Sequence, residues 1–117
     1  MQFEEYQEMG ILIVKPLELR LDAAVIQEFK QHLAAKVQEG HSLIAIDLGA
    51  VEFIDSSGLG GIISVLKAVG TGGNVAVFGA GAPVATLFRL TRMDRIFPML
   101  DSAAAALDTL AGNSLAI

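Results

Sequence analysis

With 117 residues, 53% of them apolar, and a net charge of −5, the chain has the size and composition of one globular domain covering residues 1–117. The acidic balance disfavours nucleic acid or an anionic membrane as the main ligand, and the absence of cysteine removes disulfides and thiolate metal sites. A mean hydropathy of +0.57 does not signal a membrane span, because five glycines, Asn74 and Pro83 interrupt the uncharged stretch 68–88; the acidic start "MQFEEYQEMG" is no secretory leader, so a cytoplasmic location is expected.

The first predicted element is a short strand near Phe3 to Tyr6. Only Met9 and Gly10 separate it from the apolar run "GILIVKPL", so the two read as an antiparallel hairpin at a sheet edge. Asp22, a good N-cap residue, then precedes Val25, Phe29, Leu33 and Val37, which recur every fourth position until Gly40 and predict an amphipathic helix. "SLIAIDL" is the next strand. It leads to "FIDSSGLGG" and a second helix, where Leu59, Ile62, Ile63 and Leu66 fall at i, i+3, i+4 and i+7, Ser64 and Lys67 take the other face, and Gly70 stands beyond the end.

"NVAVFG" gives another strand. A third helix has Pro83 in its first turn, Val84, Leu87, Phe88 and Thr91 on one side, and Arg89, Arg92 and Arg95 at its finish. "IFPML" is the last predicted strand, and a fourth helix opens at Asp101 or Ser102 and stops at Gly112. The apolar tail "NSLAI" receives no role. Repeated strand-helix-strand units imply an α/β domain with a largely parallel sheet and helices packed on it.

"FIDSSGLGG" lies where a parallel strand feeds a helix, the place at which ligands bind in such folds. Catalytic readings of it fail on the neighbours. A nucleophile elbow requires glycine two residues before the serine, but Ile54 precedes Ser56 and Asp55 precedes Ser57 at that distance. Neither His32, on a helix flank, nor His41, in a turn, is placed as a general base. A P-loop lysine is missing, and in "FGAGAPV" Val84 stands where a dinucleotide fingerprint needs its third glycine. Asp47 sits like the phosphoacceptor of a receiver domain, without the acidic pair and late lysine that such a domain uses. No enzyme activity, cofactor or metal is expected.

Two readings of the motif remain. Asp55, Ser56 or Ser57 caps the helix, worth about 1 kcal/mol. The three glycines, Gly58, Gly60 and Gly61, cost about 1 kcal/mol each relative to alanine and need a separate reason. Either they pack against the core, or they leave a bare helix start on which another protein can lie.

"IDSSGLGGIISVLKAV" resembles the signature of the STAS domain, and in particular of small bacterial anti-sigma factor antagonists. The likeness extends to "RLDAA", "LIAIDLGAVEFID", "GGNVAVFG" and "LFRLTRMDRIFPMLDS". The resemblance implies the STAS fold, a mixed, mostly parallel sheet of four to five strands flanked by about four helices. It implies that Ser56, with Ser57 as second choice, is phosphorylated by a partner, and that Asp22, Asp55, Ser56, Ser57, Gly58, Gly60, Gly61 and Ser64 form the partner surface. The implied partners are an anti-sigma factor of the histidine-kinase-like serine kinase type and a serine phosphatase. A regulatory or scaffolding STAS module without a phosphoswitch, serving a transporter or signalling assembly, is the alternative. One departure stands out: "LTRMD" places Arg92 where relatives carry a glycine, so the third helix is expected to end differently, with Arg89, Arg92 and Arg95 as a basic patch.

Overall fold

The computed structural model describes residues 1–115. The hairpin forms as expected, with β1 (Phe3–Glu8) antiparallel to β2 (Ile11–Pro16). Its two-residue turn holds Met9 at φ 58° and Gly10 at φ 76°, the left-handed pair that matches the twist of the flanking strands. Glycine takes this conformation freely, whereas methionine is strained there. The Met9→Asn variant should therefore gain roughly 0.5–1 kcal/mol, read as a higher urea midpoint at unchanged slope.

β1 is held down by side chains as well as by its ladder. The Phe3 ring stacks on His32 with centroids 3.9 Å apart. Glu5 receives Lys36 Nζ at 3.0 Å and lies 2.8 Å from His32 Nε2. Burial works against an ionised Glu5, but the hydrogen bonds from His32 and Lys36 outweigh it and hold its carboxyl below the ordinary value. His32 is thus a fastening of the edge strand, in keeping with its helix-flank position.

The main sheet runs β1-β2-β4-β6-β7, adding β4 (Leu43–Asp47), β6 (Asn74–Phe78) and β7 (Met99–Leu100), all parallel to β2. Three helices cover one face: α1 (Ile26–Gln38), α2 (Ser56–Val69) and α3 (Ala82–Leu90). Phe29, Leu33, Ile62, Val65 and Phe88 meet Val14, Ile44, Ile46, Val75 and Val77 there. The fourth, α4 (Ala103–Leu115), covers the other face, packing Ala106, Leu107 and Leu110 on Ile11, Ile13, Ala45, Ala76 and Phe78. Burial on both faces explains why "ILIV" in β2 reads as a continuous apolar run instead of an alternation.

Several boundaries differ from the expectations. Asp22 does not cap α1: its Oδ1 accepts from the Ala24 N–H at 3.1 Å in a preceding turn, and the helix opens at Val25 with no side-chain cap. The cause is a short strand, β3 (Arg20–Leu21), which pairs in parallel with β5 (Phe53–Ile54) and pushes the helix start along the chain. These two-residue strands have no periodicity to detect. "IFPML" contributes only Met99 and Leu100 to the sheet, because Met93–Arg95 form a 3₁₀ turn and Phe97 is buried against Phe88.

Gly112 does not stop α4, which continues to Leu115: it lacks the left-handed φ that ends a helix, and glycine alone only lowers propensity. The end of the tail "NSLAI" lies outside the described residues. Ser102 does open α4 as expected, its Oγ accepting from the Ala105 N–H at 3.1 Å. α3 ends at Leu90 with Thr91 as cap, and Arg92 then takes φ 63°, ψ 19°. Against the expectation of a different ending, the arginine holds the left-handed position suited to glycine, at a cost of about 1 kcal/mol.

Candidate functional site

The site is the junction of β5 with α2, seated against the turn that follows β3. Asp55 organises it. Its backbone is extended, and its Oδ1 accepts the Gly58 N–H at 2.9 Å, capping α2. Its Oδ2 accepts from the Ala23 N–H at 3.4 Å, which joins α2 to the turn containing Asp22. The turn that contains Asp22 and the start of α2 at Asp55, far apart in the sequence, are thereby brought together.

Of the three cap candidates it is Asp55, and neither serine, that fulfils the role. Ser56 is the first residue of the helix and its side chain is exposed, while Ser57 is half-buried. The Ser56 hydroxyl therefore stands free at a helix N-terminus. Unpaired backbone N–H groups and the positive end of the helix dipole lie beneath it. That environment favours negative charge, so a phosphoryl group placed there would not by itself unwind the helix.

The glycines divide. Gly58 and Gly61 are buried, and the bare-surface reading is corrected for both. A Cβ at Gly58 would collide with the Leu21 carbonyl oxygen and come within 2.7 Å of Ile54 Cγ2; at Gly61 it would strike the Ile26 side chain, 2.6 Å from Cγ1. They are small so that β3 and α1 can approach the first turns of α2. Gly60 is exposed with nothing near its missing Cβ, so it alone keeps the open helix start. Ser64 is half-buried, its Oγ donating back along the helix to the Gly61 carbonyl at 2.6 Å.

Around the loop lie residues that sequence reasoning missed. The Phe53 ring is 42% exposed beneath the Arg20 guanidinium, which stands 4.2 Å from its centroid. Arg20 Nε also pairs with Asp22 Oδ2 at 3.3 Å, and Leu19 is 62% exposed beside them. The aromatic residue that opens the motif was the available signal, but without the β3–β5 pairing nothing shows that it faces outward. Asp47, the other acid considered, is used structurally: its Oδ1 accepts from the Gly49 N–H at 2.8 Å and closes a turn.

The sequence profile of the STAS domain matches residues 2–106. The chain belongs to the STAS domain family. This STAS domain is 30% identical over 112 residues to the anti-sigma F factor antagonist of Paenibacillus polymyxa, covering 94% of this chain and 95% of the relative. Its fold matches that of an anti-sigma factor antagonist from Mycobacterium paratuberculosis with a TM-score of 0.85, at 24% identity and over 94% of this chain and 93% of the other. The Bacillus protein SpoIIAA superposes in its unphosphorylated form with a TM-score of 0.78 at 16% identity, over 95% and 97% of the two chains. In its phosphorylated form the TM-score is 0.69 at 14% identity, over 92% and 98%. Among the described residues of this STAS domain, no helix is long and apolar enough to cross a membrane.

Proposed function

We propose that this STAS domain is an anti-sigma factor antagonist: unphosphorylated, it docks on a kinase-type anti-sigma factor through the surface around Ser56 and frees the sigma factor, and phosphorylation of Ser56 ends that binding. The observation that carries the reading is that Asp55 caps α2 while the Ser56 hydroxyl stands exposed one residue later, open to a kinase. A relative 30% identical over 94% of the chain bears the antagonist's name, and SpoIIAA, of the same fold, has been solved both with and without its phosphoryl group. A cytoplasmic setting, a serine phosphatase that restores the hydroxyl, and the absence of catalysis by the domain itself complete the reading.

The switch acts at the interface. A phosphoserine brings about two negative charges next to the Asp55 carboxylate. A partner surface shaped for a neutral hydroxyl would have to desolvate them unpaired, at a cost of several kcal/mol. At about 1.4 kcal/mol per tenfold, that abolishes useful affinity.

Incubation with the kinase-type anti-sigma factor and ATP should add the mass of one phosphate to the wild-type chain and none to the Ser56→Ala variant, by intact-mass measurement. Labelling that survives in Ser56→Ala and disappears in Ser57→Ala moves the site to Ser57. Neither labelling nor capture of an anti-sigma factor would return the domain to the class of unswitched STAS modules.

A further inference from the structure

Arg92 is held in a left-handed backbone conformation, and among the described residues no hydrogen bond uses its side chain. It is exposed, and none of the ion pairs among the described residues includes it. Among the described residues the only other non-glycine residue with positive φ, Met9, is accounted for by the tight hairpin it closes. The end of α3 calls for the left-handed conformation at Arg92 but not for an arginine, and that choice of residue points to a role outside the chain.

Its position says which role. Pro83, Leu87 and Leu90 follow one another at i, i+4 and i+7 along α3 and form one stripe. The beginning of that stripe borders a groove of about 180 Å³ lined by Glu52, Phe53, Ile54, Pro83, Val84 and Leu87, immediately before Asp55 and Ser56. Its end is Leu90, which is 76% exposed, and Arg92 lies two residues further. A nine-residue helix is about 13.5 Å long. A docking patch of about 800 Å² per partner, centred on the groove, therefore reaches Arg92 at its rim. Arg89 is on the other flank of α3, bonded to Thr86 and facing Asp94 and Asp101 across a separate groove, so the three arginines do not act as one patch.

We propose that Arg92 is a specificity-determining contact of the partner surface, pairing with a carboxylate that the cognate anti-sigma factor carries opposite the end of α3. The inference rests on the reading that this surface docks an anti-sigma factor. A cation at the rim of an acidic protein steers a complementary partner and rejects one that is basic there, with its effect mainly on the association rate.

The test is association of the anti-sigma factor that phosphorylates Ser56, immobilised and with ADP in place of ATP, over a range of salt. Arg92→Gly relieves the strain and should melt no lower than wild type, yet associate roughly two- to fivefold more slowly at low salt, with the difference vanishing at high salt. Arg92→Glu should be slower still. If both variants associate like wild type at low salt while Ser56→Asp loses binding, this inference fails and the docking reading stands. If Ser56→Asp also binds like wild type, the docking reading itself fails. Unchanged partner rates with Arg92-dependent binding to anionic vesicles would assign the residue to a membrane surface and overturn the proposal.

Discussion

The Ser56→Asp variant is expected to bind its anti-sigma factor at least about a hundredfold more weakly than wild type, while melting within a degree or two of it. A loss of that size corresponds to roughly 2.8 kcal/mol, within the cost of leaving a carboxylate desolvated and unpaired at an interface. Stability should hold because position 56 begins α2, where a negative charge meets free N–H groups and the positive end of the dipole. The two measurements together are decisive. Titration calorimetry reads the affinity and thermal unfolding reads the fold; a large fall in melting temperature with unchanged affinity would make Ser56 a structural residue and sink the switch.

The second large effect is on folding. Gly58→Ala should destabilise the domain by about 3 kcal/mol or more, a large share of the 5–15 kcal/mol that a domain of this kind possesses. The added methyl group has no soft neighbour to displace. The Leu21 carbonyl in its path belongs to β3 and also accepts from the Asp55 N–H, and the Gly58 N–H is bound to Asp55 Oδ1. Relief requires moving β3 off the start of α2, which breaks the arrangement that presents Ser56.

Gly60→Ala is the internal comparison. Its methyl group meets open space, so helix propensity should make the variant up to about 1 kcal/mol more stable. Urea unfolding of the two variants checks the division, and a Gly58→Ala variant as stable as wild type would remove the packing explanation. Partner binding by Gly60→Ala then reports whether the remaining open glycine serves the docking surface.

The STAS sheet and its helices were legible because their signals are local. A short apolar run bounded by turn formers, such as "LIAI", reads as a strand buried on one or both faces, and Leu59, Ile62 and Leu66 share one face when the segment is a helix. The hairpin followed from two residues between two strands. Ser56 as the candidate modified residue followed from a signature that spans contiguous residues.

What the sequence could not assign were the roles that depend on a neighbour from elsewhere in the chain. Asp55, Ser56 and Ser57 are all capable caps; Asp55 takes the role because its second oxygen can also reach Ala23. Gly58, Gly60 and Gly61 look alike in the sequence, and only the approach of Leu21 and Ile26 makes two of them packing residues and leaves the third open. Asp22 looked like a helix cap until the pairing of β3 with β5 moved the start of α1. Local periodicity determined the elements, and a contiguous signature singled out Ser56; packing, which brings distant backbone within touching distance, decided which residue caps, which must stay small and which stays exposed.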